Sequence, residues 1–378
     1  MTIITEKMVS GGSCIARING KVVFIPFSLP GETLEVEISE KYRDYDIAHI
    51  TSILESSPKR VVPPCPLFGI CGGCSLQMAE NDYQLELKKL IVGDILARAG
   101  IHFNRDIKCV SGNPFEYRSR FQFSKTEAGK IGLKKSASNS VIPLADCPIA
   151  VTGIRQALAE NLLSENQDNS PASGKIHVFA YSNALFYEGR DTSCAVTIDG
   201  RELRFDINGF FQSNIPMLEQ LLRCIVPKSA GKPGVLLDFY AGVGTFSVFM
   251  AEKYTQTVLV EENTGALLWA EKNLMGKAEN PVFCAVKDSQ WPFHSEAKKT
   301  FSMAVIDPPR QGIHKKMMEW LKAVSIPEIS YVSCNPVTFA RDAAALLNAG
   351  YILQDIILFD FYPQTHHIEL VGFFINEK

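Results

Sequence analysis

From about Phe205 to the C-terminus, short apolar runs alternate with stretches of helical periodicity, and this alternation limits the possible folds more than any other feature of the chain. The runs VLLDFYAG, TVLVEE, SMAVIDPP and ISYVSCNP are apolar almost throughout, as strands covered by helices on both faces must be. Strand followed by helix, repeated, predicts a doubly wound α/β domain. Open sheets of that kind bind ligands at the carboxyl ends of their strands, so the residues just after each run are the first place to look for chemistry.

Asp238-Phe239-Tyr240-Ala241-Gly242-Val243-Gly244 leaves the first run and opens a helix, where glycines let backbone approach a ligand. Glu261 ends the next run, placed to accept hydrogen bonds from ribose hydroxyls. The three-glycine dinucleotide spacing is absent, which favours S-adenosylmethionine over NAD. In Asp307-Pro308-Pro309-Arg310 two prolines fix a rigid turn and hold an acid at the sheet edge, facing cofactor or substrate. Cys334, in Ser333-Cys334-Asn335-Pro336, stands where a nucleophile would sit, although a lone cysteine is more often a small buried apolar residue. Near the C-terminus, His366, His367 and Glu369 suit acid/base work, with a metal as the weaker reading.

The segment before this domain reads differently. Residues 1–57 alternate apolar and polar positions around a Leu29-Pro30-Gly31 turn, which predicts a small open β-barrel of the oligonucleotide-binding type. A proline-rich joint, Pro58 to Pro66, follows, then helical spacing from Leu76 to Ala99 and strand-like pieces from Glu116. Residues 164–175 read as a polar loop. Formal net charge is −3, so any nucleic-acid contact must be a local patch. Arg118, Arg120, Lys125, Lys130, Lys134 and Lys135, set among Tyr117, Phe121 and Phe123, form one candidate, the alternative being a solvated sheet face.

The N-terminus MTIITEKMVSGG has no secretory pattern, and no apolar run reaches the ~18–20 residues of a membrane helix, so a cytoplasmic protein without membrane partners is expected. Ten cysteines in a reducing compartment point away from disulfides. Cys65, Cys71 and Cys74, on a loop with Gly72 and Gly73, can converge on one centre, and Cys147 in ADCPI is the best candidate for a fourth ligand. Four thiolates suit an iron–sulfur cluster or zinc. The remaining five cysteines show no partner spacing.

Together these motifs resemble the RNA uracil-5-methyltransferase family, in its iron–sulfur-containing branch. GKVVFIPFSLPGE resembles that branch's TRAM domain, and CPLFGICGGC with Cys147 its 4Fe–4S ligands. NGFFQSN, LDFYAGVGTFS, VEEN, IDPPRQG, VSCNP and YPQTHHIEL resemble the catalytic signatures in the family's order. The resemblance implies a Rossmann-like S-adenosylmethionine methyltransferase domain (residues 77–105 and 205–378), an OB-like β-barrel (residues 1–57) and a central α+β iron–sulfur domain (residues 58–76 and 106–204). It implies that Gln212, Tyr240, Glu261 and Asp307 bind S-adenosylmethionine, that Cys334 is the nucleophile and that Glu369 is the base. Glu262 doubles the acid at Glu261, and Asp288 falls where many methyltransferases meet adenine. The substrate expected is a loop uridine in RNA, ribosomal RNA before transfer RNA, handled by a monomer. A binding protein with a relic catalytic domain and a cytosine-5 methyltransferase are the alternatives.

Overall fold

The computed structural model describes residues 1–103, 105–126, 128–165, 174–228 and 234–376; most of the polar stretch read as a loop over 164–175 lies outside the described residues. The alternating N-terminal segment forms β1 (Thr2–Ile4), β2 (Lys7–Met8), β3 (Cys14–Ile18), β4 (Lys21–Ile25), β5 (Thr33–Lys41) and β6 (Tyr45–Glu55). They make one six-stranded sheet, ordered β1-β5-β6-β4-β3-β2, around a core that includes Val23, Ile25, Leu34 and Val36. Buried Glu32 accepts hydrogen bonds from Leu29 N–H (2.8 Å) and from the Arg60 guanidinium (2.8 Å), fastening this sheet to the proline-rich joint.

The next helix, α1 (Asn81–Arg98), starts later than the apolar spacing from Leu76 predicts. Residues 75–80 are committed elsewhere: Ser75 and Leu76 donate N–H to the Gln364 carbonyl, and Glu80 donates to Lys59. Leu87, Ile91, Val92 and Leu96 of α1 join the core beneath the largest sheet, and the short β7 (Lys108–Val110) adds to that sheet's edge. Then come β8 (Arg120–Lys125), β9 (Ile131–Lys134), β10 (Val141–Pro143), α2 (Thr152–Ala159), α3 (Leu162–Glu165), β11 (Lys175–Tyr181) and β12 (Ala184–Tyr187). Their five strands form an antiparallel sheet, β10-β9-β8-β11-β12, packed on α2 with its own core. A hairpin, β13 (Ser193–Ile198) with β14 (Arg201–Asp206), shares the core of the large sheet instead, although both strands precede or span the boundary expected at residue 204.

The C-terminal half runs α4 (Ile215–Lys228), β15 (Val235–Phe239), α5 (Thr245–Met250), β16 (Gln256–Val260), α6 (Thr264–Leu274), β17 (Pro281–Cys284), β18 (Met303–Ile306), α7 (Lys315–Val324), β19 (Glu328–Ser333), α8 (Pro336–Asn348), β20 (Ile352–Phe359) and β21 (Glu369–Ile375). The sheet order is β17-β16-β15-β18-β19-β21-β20-β7. Neighbours from β17 to β19 are parallel, while β21 runs antiparallel between β19 and β20. The chain moves from one side of the sheet to the other between β15 and β18, which makes the carboxyl ends of those two strands the switch point where ligands bind in such folds. Among the described residues no helix is long and apolar enough to cross a membrane.

Candidate active site

At that switch point lies a cavity of about 1330 Å3, more than a single small ligand needs and enough for a cofactor together with a nucleotide. Gln212, Tyr240, Glu261, Asp307, Cys334 and Glu369 all line it. They arrive from six places: the coil before α4, the ends of β15, β16, β18 and β19, and the first residue of β21.

The β15 end is shaped by its own backbone. Tyr240 takes a left-handed conformation (φ 66°), unusual for a bulky residue, and its hydroxyl donates to Asp288 (3.0 Å). Glu261 accepts from Gly242 N–H (3.0 Å) and Asn263 N–H (2.8 Å), so of the two adjacent acids it is the one turned to the glycine loop, and Glu262 stands exposed. Gly242 has open space around it, as ligand approach requires. Gly244 is glycine for a different reason: a Cβ there would lie 2.9 Å from Leu274 and 3.2 Å from Ala270, too close for α5 and α6 to pack. Beneath the loop, buried Asp238 accepts from the Ser247 N–H (3.1 Å) and hydroxyl (2.5 Å), and burial pushes its carboxyl up to about 6 against those donors.

The turn after β18 is clamped to α8. Asn335 caps that helix by accepting from Val337 N–H (3.0 Å) and donates its amide to the Arg310 carbonyl (2.9 Å). Asp342 accepts from Ile313 N–H (2.8 Å) and the Tyr331 hydroxyl (2.7 Å). Gly312 permits this contact, since a Cβ would fall 2.5 Å from the Asp342 carboxylate. Asp307 and Cys334 are thereby presented from two rigid strand ends.

Burial pushes the titratable groups of the cavity toward their neutral forms. Burial raises the Asp307 carboxyl, and the nearby Asp238 adds to it. Burial also holds Glu369 well above the usual carboxylate range, reinforced by Asp307 and opposed by Arg310. The Cys334 thiol is pushed up to about 11 by burial and then by Glu369 and Asp307, again opposed by Arg310. His367 is driven down to about 4 by burial and by His366 beside it, so it is neutral at physiological pH. The arrangement therefore holds a protonated thiol beside a carboxyl group of raised pKa. Below its pKa the thiolate fraction rises tenfold per pH unit, so alkylation of Cys334 by iodoacetamide in the free protein is expected to climb about tenfold per unit from roughly pH 7 to 9. Peptide mass spectrometry reads this directly; a rate already flat by about pH 9 would contradict the environment described here.

Two further groups line the cavity. Arg118, Arg120 and Gln122 follow the period of two of a strand, which predicts a shared face, but the sequence does not tell that this face turns to the cavity. Phe210 is 73% exposed at the cavity wall, a large apolar surface that a base could cover.

A second cavity, of about 550 Å3, is lined by Cys65, Cys71, Cys74 and Cys147, with Arg118 and Lys134. Burial raises the thiols of Cys74 and Cys147 to about 11 and about 12, and neighbouring thiols contribute to each shift. Among the described residues no three His, Cys, Asp or Glu side chains form a closed metal-binding group. The four thiols line this one cavity, and soft donors of this kind suit an iron–sulfur cluster or zinc by their chemistry.

The chain was compared with known proteins. Residues 2–51 match the TRAM domain, and residues 296–378 match the family described as tRNA (Uracil-5-)-methyltransferase. A Treponema denticola protein described as an uncharacterized RNA methyltransferase is 40% identical, covering 98% of both chains. The 23S rRNA (uracil(1939)-C(5))-methyltransferase RlmD of Enterobacter sp. (strain 638) is 30% identical over 96% of this chain and 93% of its own. The chain belongs to the RNA uracil-5-methyltransferase family. In fold it is similar to the Pyrococcus abyssi tRNA (uracil-54, C5)-methyltransferase crystallised with S-adenosyl-L-homocysteine, with a TM-score of 0.78 at 23% identity over 99% of this chain and 100% of that one. The family resemblance carried by the motif order is thus borne out, and this uracil-5-methyltransferase family member is an RNA-methylating enzyme with a Rossmann-like catalytic fold behind TRAM strands.

Proposed function

We propose that the protein methylates C5 of a uridine in 23S ribosomal RNA, working in the cytoplasm as a monomer, with S-adenosylmethionine in the large cavity. The reading rests on one observation: Cys334 and Glu369 line the same cavity as Gln212, Tyr240, Glu261 and Asp307. Tyr240, Glu261 and Gln212 hold the cofactor, Glu261 through its ribose, with Asp307 at the junction of cofactor and base. S-adenosylmethionine, when bound, supplies an electrophilic methyl group.

C5 of uracil is too weak a nucleophile to take that methyl unaided. The Cys334 thiol first gives its proton to solvent water, its sulfur then adds to C6, and the C5=C6 electrons become an enolate across C5, C4 and O4. C5 would then bond to the methyl carbon as the methyl–sulfonium bond breaks, leaving the cofactor sulfur as a neutral thioether. Glu369 takes the remaining C5 proton, the C5=C6 double bond re-forms, and the C6–S bond breaks to return the thiolate. Glu369 must be ionised to take that proton, a form that Arg310 favours against burial, and once ionised its raised basicity lets it hold the proton firmly. The uridine must leave its stack to reach Cys334, at a cost of a few kcal/mol that is least in loops.

Cys65, Cys71, Cys74 and Cys147 would hold a 4Fe–4S cluster, which would supply a crosslink between the joint and the central sheet. The units proposed are the barrel of residues 1–57, the cysteine-bearing unit of 58–76 and 106–204, and the methyltransferase unit of 77–105 and 205–378. Protein purified without oxygen and given methyl-labelled S-adenosylmethionine is expected to place 5-methyluridine in undermethylated ribosomal RNA. Label in transfer RNA alone would move the substrate to the T-loop and keep the chemistry, while label in neither RNA from cofactor-bound protein would overturn the reading. Cys65→Ser is expected to lower soluble yield and RNA binding; a variant that loses its cluster yet folds, binds RNA and turns over normally would refute the structural role of the cluster.

A further inference from the structure

Glu369 opens β21, and the nine residues before it, 360–368, belong to no helix or strand. Such a segment does not place a side chain by itself. Here it is gripped by one polar stripe of α1. Asn81, Gln84 and Lys88 are spaced three and four residues apart, which puts them on one helix face. Lys88 donates to the Asp360 carboxylate (2.6 Å) and the Tyr362 carbonyl (3.1 Å). Gln84 accepts from Gln364 N–H (2.9 Å) and donates to the Gln364 side-chain oxygen (3.0 Å), while the Gln364 amide reaches Asn81 (2.7 Å). Gln364 itself is held in a left-handed conformation (φ 67°).

Gln84 and Lys88 are each only 1% exposed. Apolar side chains would fill such positions without desolvating a charge, and replacing a buried ion pair by apolar residues is often neutral or stabilising. Stability alone therefore does not explain a lysine and a glutamine on the buried face of α1. Apart from the Ala79 carbonyl, to which Gln84 also donates (2.9 Å), their partners lie in the segment leading to Glu369, and a displacement of about 1 Å at a reacting group can lower a rate on the order of 100-fold.

We propose that Lys88, with Gln84 beside it on α1, is a positioning residue that fixes segment 360–368 and through it the place of the Glu369 carboxylate for removal of the C5 proton. The proposal rests on the reading of Glu369 as that base. Misplacing the base leaves addition of Cys334 and methyl transfer intact but slows elimination, so a methylated RNA remains joined to the protein.

The test follows a single turnover of labelled S-adenosylmethionine on the RNA transcript that the parent enzyme methylates, and measures detergent-stable, labelled protein–RNA adduct over time. The variants are Lys88→Met, Gln84→Met, the apolar pair Lys88→Met/Asp360→Leu, and Glu369→Gln as reference. Adduct decay in the α1 variants is expected to slow by about 10- to 100-fold while the rate of methyl transfer stays within about threefold of the parent. The apolar pair is expected to melt no lower than the parent and still to retain adduct, which separates positioning from stability. Should Lys88→Met fail to fold, Gln84→Met and the apolar pair decide. Parent-like adduct decay in these variants while Glu369→Gln traps adduct would overturn the clamp; parent-like decay in Glu369→Gln itself would overturn the assignment of the base on which it stands.

Discussion

Cys334→Ala is expected to lower methyl transfer by at least ~10^4-fold while S-adenosylmethionine affinity stays within about twofold of the parent. The size follows from the chemistry of uracil. Without a bond at C6 the ring has no enolate, and C5 presents too little electron density to attack a sulfonium methyl. Among the described residues no other cysteine lines the cavity to substitute. Cys334 is half-buried at the end of β19, and trimming its sulfur leaves the Asn335 cap and the Arg310 contact in place, so folding is expected to change by less than ~1 kcal/mol. Initial rates of label incorporation, with cofactor affinity by calorimetry, separate the two effects. Incorporation within tenfold of the parent would remove Cys334 from the reaction.

Glu369→Gln is expected to do something different. Glutamine keeps the shape of the side chain but cannot take a proton, so the first methyl is transferred and the product stays attached. Release of methylated RNA is expected to fall by about 10^2- to 10^4-fold, with up to one labelled methyl per protein in a detergent-stable complex. Glu369 is 5% exposed at the start of a central strand, and loss of its charge removes one source of the raised Cys334 thiol. Addition of sulfur to C6 is therefore not expected to slow. Release at the parent rate would assign the proton to another group, with His367, neutral and beside the segment's end, the first to examine.

The catalytic half was legible in the sequence because its strands are buried on both faces, so the ends of the apolar runs mark the ends of β15, β16, β18 and β19. Tyr240, Glu261, Asp307 and Cys334 sit directly after them, where sheet topology alone forces a cleft. Gln212 is different: it lies in coil between β14 and α4, and only the family resemblance singled it out. The left-handed backbone at Tyr240 had no residue signature, since nothing in a tyrosine announces a positive φ. β7 was not legible either, because three residues pairing with Ile357, Leu358 and Phe359 far along the chain carry no local pattern.

The face of α1 shows the opposite failure. Leu90 fits the apolar spacing and is 66% exposed, whereas Gln84 and Lys88 look solvent-facing and are buried. Helical periodicity assumes that a buried face is apolar, and this helix buries polar side chains because another segment supplies their partners. The four cysteines illustrate a milder limit: their spacing predicted convergence, and they do share a cavity, but thiol chemistry alone leaves iron–sulfur and zinc equally served.

The most direct test of methylation at C5 is to supply RNA whose uridines carry tritium at C5 together with carbon-labelled S-adenosylmethionine, and to count both labels over the same time course. One tritium released to water for each methyl incorporated is the expected result, because the C5 hydrogen must leave for the ring to recover its double bond. Methyl incorporated with tritium retained would place the reaction at another atom and contradict the roles given to Cys334 and Glu369.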